Sequence, residues 1–373
     1  MRSKQDEMKF GAEVSYLKLI SEGNLRYRFV SQGLDLKVVE EALGSVKTQG
    51  DWLSIWTKVG DMYQRLGDEA LTENHVISAG EFFLKATLAF HWAQLLHFHD
   101  LPGKQRAHLA KLNVHTKARP LLAPPIRRLE ASLEGVSIPI FIRTPPGPGP
   151  YPTVIIVCGT DSTKEENFVM ENCILARNLA VVSFDGPGQG EVWPAMKMRP
   201  DFHKAVSAVI DVVCTQPEVD KNHLVLLGKS FGGFLGPSAV AHDKRLKACV
   251  ANGGYFDTSF YDWDEPLRSV RWQYVLGAQA IEEAKEAAKE FTLANCIHEV
   301  RVPLLVIHGG QDRTVPASAA KRIADEAAGP AAFIEFPEGI HCTHNIAYEV
   351  NPMIADWLAD HAKGVTITSL QNH

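Results

Sequence analysis

The sequence predicts an α/β protein, a mostly parallel sheet with helices on both faces behind an all-helical N-terminal region, and two observations carry that prediction. Up to about Leu122 there is almost no strand signal, whereas from Leu129 onward short apolar runs alternate with helical stretches. Apolar runs of strand length, each followed by helical sequence, are what a parallel sheet buried on both faces requires. Residues 1–125 therefore read as a helical cap region and residues 126–373 as the sheet-bearing catalytic domain.

The elements follow in order. In ISAGEFFLKATLAFHWAQLLHF, Ile77 to Phe98, the residues Phe82, Phe83, Ala86, Leu88, Ala89, Phe90, Ala93 and Leu96 recur at three-and-four spacing, the period of a buried helix. SLEGVSIPIFIRTP reads as a hairpin or edge pair, and TPPGPGPYP, Thr144 to Pro152, as a turn into the buried strand TVIIVC. STKEE carries the Ser-x-x-Glu spacing of a capping box ahead of the helix NFVMENCILARNLA, which ends before the strand AVVSFD. Four more strands follow: LVLLG (Leu224 to Gly228), ACVANGG (Ala248 to Gly254), PLLVIHG (Pro303 to Gly309) and AAFIEFP (Ala331 to Pro337). AIEEAKEAAKEF, Ala280 to Phe291, reads as a solvated helix with Glu and Lys at favourable spacing.

Composition narrows the function. The chain has 373 residues and a net charge of −6, with 45% hydrophobic and 22% charged residues, an ordinary globular balance. A mild acidic excess without a basic run argues against nucleic acid as a partner. No apolar run approaches the roughly 20 residues of a membrane helix, and MRSKQDEMKF lacks an apolar leader, so the expectation is a cytoplasmic protein with no membrane partner. Cys158, Cys173, Cys214, Cys249, Cys296 and Cys342 are scattered, without the close pairs of a zinc or redox motif, and read as free thiols.

One stretch carries chemistry. In LVLLGKSFGGFLGP, Leu224 to Pro237, a buried strand runs into Gly-Lys-Ser-Phe-Gly and then into helical sequence. Flanking glycines allow the tight bend that holds a serine Oγ clear of a sheet at a helix N-terminus. A nucleophilic serine needs a base and an acid, and both follow just past strand ends: Asp312 in PLLVIHGGQDRTVP and His341 in AAFIEFPEGIHCTHN. The order Ser230, Asp312, His341 is the one an α/β-hydrolase uses. His344 competes with His341, which lies nearer the strand end and is preferred. The oxyanion of acyl transfer needs preorganised donors, and Phe231 N–H with an N–H from CGTDST, at Thr160 or Asp161, are the candidates. Asp161 and Ser162 serve equally well as turn and cap residues.

GTDSTKEE (Gly159 to Glu166), FDGPGQGE (Phe184 to Glu191), GKSFGG (Gly228 to Gly233) and HCTHN (His341 to Asn345) together resemble the α/β-hydrolase group of 2,6-dihydroxypseudooxynicotine hydrolase and the fungal yellowish-green pigment hydrolases. The similarity runs from roughly Phe82 to Leu358, and DGPGQGE is its most specific motif. The resemblance implies an α/β-hydrolase with a helical N-terminal cap, a homodimer, and a serine triad at Ser230, Asp312 and His341 that works without metal or organic cofactor. It implies hydrolysis of a C–C bond beside a ketone and an auxiliary acid in NGGYFDTSFYDWDEPL, at Asp264, with Asp257, Asp262 and Glu265 close by. If the carbanion leaving group must be held or protonated, an acid beyond the triad is needed, a demand an ester does not make.

The expected activity is cleavage of a ketone-activated C–C bond in a small aromatic or polyketide-like molecule, with carboxylester hydrolysis as the alternative. A non-catalytic binding module on the same fold is weaker, because all three triad residues are intact. Phe168, Trp193 and Trp263 are candidates for lining a pocket between sheet and cap, and equally for core. His91, His97 and His99 invite a metal reading, but His97 and His99 would diverge on a helix and read better as polar helix positions.

Overall fold

The computed structural model describes residues 24–95 and 97–363, and the stretch MRSKQDEMKF lies outside them. The chain opens with helices α1 (Asn24–Ser31), α2 (Leu36–Ser45), α3 (Gln49–Thr72), α4 (Val76–Gln94) and α5 (Leu101–Ala118). It continues through β1 (Arg127–Leu133), β2 (Val136–Arg143), β3 (Tyr151–Val157), α6 (Phe168–Leu175), β4 (Ala180–Phe184), α7 (His203–Val213), β5 (Val219–Lys229) and α8 (Gly232–His242). There follow β6 (Leu246–Asn252), α9 (Pro266–Leu276), α10 (Ile281–Ala288), β7 (Leu304–Gly309), α11 (Ala317–Glu326), β8 (Ala331–Phe336) and α12 (Ala347–Ala362). Among the described residues no helix is long and apolar enough to cross a membrane.

Two compact units result. The first takes the chain up to Arg127 together with Glu165–Phe168 and Tyr261–Ala288, and the second takes Arg128–Lys164, Val169–Phe260 and the chain from Lys289. The division at 125/126 read from the sequence therefore differs from the structure in two inserted segments. Charge explains one of them: buried Glu165 lies 2.7 Å from Lys111 Nζ, and buried Glu166 lies 3.0 Å from both Arg28 Nη2 and His91 Nε2. Buried carboxylates are retained only where a counter-charge meets them. One oxygen of Glu165, the residue at the capping-box spacing read from sequence, accordingly meets Lys111.

The helical unit is held by aromatic packing between its helices. Phe29 stacks on Trp92 at 4.2 Å and meets Trp56 edge-on at 5.0 Å, while Trp52 Nε1 donates to the Trp92 carbonyl. Helix α9 begins where the Glu265 carboxylate accepts from the N–H groups of Leu267 and Arg268, and ends at Gly277 with φ 67°. His91 is fully buried in α4, but α4 ends at Gln94, so His97 and His99 are not on a helix, and their rings lie 4.1 Å apart. The divergence argued for them on helical geometry does not apply.

In the second unit the described residues form an eight-stranded sheet in the order β1-β2-β4-β3-β5-β6-β7-β8. The hairpin β1–β2 turns at Glu134 and Gly135, with φ 52° and 82°, the pair of left-handed residues a two-residue loop needs. Strand β2 is antiparallel to β4, and from β4 to β8 every neighbour is parallel, with Val154 opposite both Val181 and Val225. On one face Val154, Ile156, Val225, Leu227 and Val250 pack against α6 and α12 through Ile174, Ile354 and Leu358. On the other, α8 lies so close that a Cβ at Gly236 would meet Leu226 Cδ2 at 2.6 Å. The predicted α/β class, with its helical N-terminal region, is borne out. The carboxyl ends of the central strands carry the candidate residues, as expected where parallel strands feed their loops.

Candidate active site

Ser230 stands between β5 and α8 with φ 57°, a left-handed conformation that a side-chain-bearing residue rarely adopts. A Cβ on Gly228 would lie 2.0 Å from the Gly232 carbonyl oxygen, and one on Gly232 would lie 2.0 Å from that of Val157, so only glycine fits either position. The bend is pinned further by Ser230 N–H donating to the Asn252 carbonyl at 2.8 Å. The strained turn presents Oγ at the N-terminus of α8.

His341 and Asp312 meet it there. Ser230 Oγ lies 2.8 Å from His341 Nε2, and His341 Nδ1 donates to Asp312 Oδ2 at 2.6 Å. The other Asp312 oxygen accepts from the N–H groups of Thr314 and Val315 at 2.7 and 3.0 Å, so the fully buried carboxylate spends both oxygens on donors. Burial pushes the Asp312 carboxyl up, but the His341 imidazole and these backbone donors outweigh it and hold it below the usual range. Burial likewise pulls His341 down, and the Asp312 carboxylate outweighs it, so the imidazole stands above an ordinary histidine. His308, whose Nε2 lies 3.9 Å from Asp312 Oδ2, bonds the Val315 carbonyl at 3.1 Å and is lowered by burial, so it adds little competing charge.

The His341 loop is shaped by its sequence neighbours. Cys342 and Thr343 both have positive φ, 53° and 56°, and Asn345 Oδ1 accepts the Ile340 N–H at 2.8 Å, closing the loop that presents the imidazole. Asn252 spans both loops: its carbonyl takes the Ser230 N–H and its Nδ2 donates to the Cys342 carbonyl at 3.3 Å. His344, the competitor weighed from sequence, is half-buried, and it is His341 that joins Ser230 to Asp312.

The loop after β3 runs beside the serine. A Cβ at Gly159 would stand 3.3 Å from Ser230 Oγ, so this backbone borders the nucleophile, and half-buried Thr160 and Asp161 follow directly. Phe231 is buried at the N-cap of α8, where the first amide groups of a helix have no partner inside it. DGPGQGE supports the loop from below. Asp185 accepts from Lys164 N–H at 2.9 Å, Lys164 Nζ at 2.8 Å and Glu191 N–H at 3.1 Å, and Glu191 reaches Arg128 at 2.8 Å. Gln189 and Asn252 are the residues that sequence reasoning left without a role. Gln189 lay inside a quoted motif, whereas Asn252 ends an apolar strand with no pattern to mark it.

Asp264 belongs to the helical unit, exposed in the loop before α9, with its N–H donating to Asp262 Oδ1 at 3.1 Å. Asp262 is also exposed, Glu265 caps α9, and Asp257 pairs with Arg322 at 2.9 Å. The pocket candidates divide likewise. Phe168 and Trp263 fall in the helical unit, where Trp263 lies 5.6 Å from Tyr261, while Trp193 in the other unit carries Lys197 Nζ 3.3 Å above its ring.

Comparison with known proteins agrees with this architecture. The family model described as esterase FrsA-like matches residues 37–287. The 2,6-dihydropseudooxynicotine hydrolase of Paenarthrobacter nicotinovorans is 34% identical over 315 residues, which cover 83% of this chain and 84% of the relative. The 20-hydroxy-prefusarin hydrolase FUS2 of Gibberella moniliformis is 30% identical over 244 residues, 61% of this chain but only 58% of the relative's length. Among solved structures, the crystal structure of the 2,6-dihydroxy-pseudo-oxynicotine hydrolase aligns with a TM-score of 0.85 at 31% identity, covering 91% of this chain and 97% of that one. AbyA5 aligns with a TM-score of 0.70 at 18% identity over 97% of this chain and 95% of its own, a likeness of fold alone.

Proposed function

The chain belongs to the FrsA-like esterase family and is an α/β-hydrolase, and from that premise we propose that it cleaves a ketone-activated C–C bond through Ser230, His341 and Asp312. The observation that carries the reading is the unbroken line of hydrogen bonds from Asp312 through His341 to a serine held in a left-handed turn.

The steps follow from the groups. His341 Nε2 takes the Ser230 proton as Oγ attacks a carbonyl carbon, and Asp312 stabilises the resulting imidazolium. The oxyanion is met by Phe231 N–H and an N–H from Thr160 or Asp161. As the carbonyl re-forms, the C–C bond breaks and its electron pair passes to the neighbouring α-carbon as an enolate, which takes the proton that His341 received from Ser230, while Asp264, the auxiliary acid that the motif resemblance suggests, holds the ketone in a reactive form. Water, deprotonated by His341, then hydrolyses the acyl-enzyme and returns the proton to Ser230. These steps use protein groups and water, with a small ketone as substrate. The homodimer and the cytoplasmic setting expected from sequence stay part of this proposal.

Ester hydrolysis is the second reading. The family description names esterases, and Asp264 stands exposed in its loop. The test is turnover of aryl 1,3-diketones against p-nitrophenyl esters by the wild type and Ser230→Ala, with products identified by mass spectrometry. Diketone cleavage, lowered about 10⁶-fold in Ser230→Ala, is the expected result. Rapid ester turnover with inert diketones would make the protein an esterase.

A further inference from the structure

Gln189, in DGPGQGE, is almost wholly buried and contacts the candidate oxyanion loop rather than the triad. Its Nε2 donates to the Cys158 carbonyl at 2.8 Å and the Gly159 carbonyl at 3.0 Å, and its Oε1 accepts the Gly186 N–H at 3.0 Å. Both amide protons and the acceptor are therefore used, and an amide is the one side chain that offers two donors and an acceptor on a single planar group.

The consequence lies in the peptide planes. In a trans peptide the carbonyl of one residue and the N–H of the next point in opposite directions. With the Cys158 and Gly159 carbonyls turned onto Gln189, the N–H groups of Gly159 and Thr160 point away from it. Gly159, between those peptides, borders Ser230, where an added Cβ would come 2.9 Å from Ser230 Cβ. The far end of the same loop is tied at Lys164, whose N–H and Nζ both donate to Asp185. DGPGQGE thus holds the loop at both ends, and Gln189 sets the plane of the peptide that bears the Thr160 N–H.

We propose that Gln189 is a positioning residue that aims the Thr160 N–H at the oxyanion formed on Ser230 addition. The inference rests on the serine reading above and deepens it by choosing Thr160 over Asp161 as the loop's donor. Oxyanion donors act by preorganisation, so misaligning one is felt in the transition state and not in substrate binding.

The test compares Gln189→Glu, which keeps the acceptor for Gly186 N–H but loses both donors, with Gln189→Met, which keeps length but not polarity. For p-nitrophenyl butyrate, kcat is expected to fall about 10²-fold, the cost of a misplacement near 1 Å, with KM changed less than about threefold. The inhibition constant of 2,2,2-trifluoroacetophenone, whose serine adduct carries the oxyanion, should rise in parallel with the loss in kcat/KM. Folded variants with both constants within twofold of wild type, or with lowered kcat and an unmoved inhibition constant, would overturn the proposal. Independently of whether the variants fold, the side-chain amide resonances of Gln189 in ¹⁵N-labelled wild type should shift when the ketone adduct forms, and unmoved resonances would equally overturn it. Turnover that survives in Ser230→Ala overturns the serine reading, and this inference with it. Turnover lost in Ser230→Ala but kept in the Gln189 variants overturns this inference alone.

Discussion

At the residue scale, the coupling of His341 to Asp312 has a measurable pH signature. The carboxylate raises the imidazole pKa, so the base becomes neutral, and kcat/KM rises, on the alkaline side of an ordinary histidine value of about 6.5. Asp312→Asn removes that charge and leaves burial, which acts in the opposite direction. Its ascending limb should move to lower pH while kcat falls about 10⁴-fold, and a pH–rate profile of both proteins checks the two effects together. The same pair gives stability a definite sign. The His341 contribution is complete below about pH 6.5 and is lost as pH rises through its raised value; the Asp312 contribution is complete above about pH 3.9 and is lost as pH falls. The three residues that meet were legible in sequence because each follows an apolar strand in the order the fold uses. Gln189 and Asn252 were not, since their work is done by hydrogen bonds to backbone carbonyls, which no residue pattern advertises.

At the element scale, strands were read with little error because a strand buried on both faces must be apolar throughout, as TVIIVC and LVLLG are. Helix ends were harder. The apolar spacing of Ile77 to Phe98 runs beyond Gln94, where α4 stops, which is why His97 and His99 were wrongly placed on a helix. Ser162 and Glu165 have capping-box spacing, which gives no hint that one Glu165 oxygen also meets the buried ammonium of Lys111. Two glycines in α3 show tertiary packing overriding helix propensity. A Cβ at Gly60 would lie 2.6 Å from the Phe90 ring, and one at Gly67 would lie 2.5 Å from that of Phe83. Alanine at either site gains about 1 kcal/mol of helix propensity but overpacks a buried aromatic contact at about 1–3 kcal/mol. The variant Gly60→Ala/Gly67→Ala should therefore be less stable than wild type in urea, by about 2 kcal/mol for the two sites together, and a stabilised variant would show that the rings move aside.

At the scale of the whole molecule, the helical unit is assembled from three stretches of chain, and this was the least legible feature, because the long-range charge pairs that recruit Glu165–Phe168 leave no local signal. Removing residues 1–127 strips Glu165 of Lys111, Glu166 of Arg28 and His91, and Tyr274 of Phe98. The fragment 128–373 is accordingly expected to aggregate or melt well below the full chain, and a fragment with the melting temperature of the intact protein would contradict that assembly. Lys111→Met, which removes the buried ammonium 2.7 Å from Glu165, should lower stability in chemical denaturation, and a variant as stable as wild type would show that the pair contributes nothing. Everything functional converges on one serine. The most direct measurement is therefore peptide mass spectrometry after reaction of the full chain with a fluorophosphonate, in which Ser230 Oγ would bond phosphorus as fluoride leaves. The expected result is a single adduct on Ser230, absent in Ser230→Ala and greatly slowed in His341→Ala. A folded, active protein that carries no adduct on Ser230 would contradict the account.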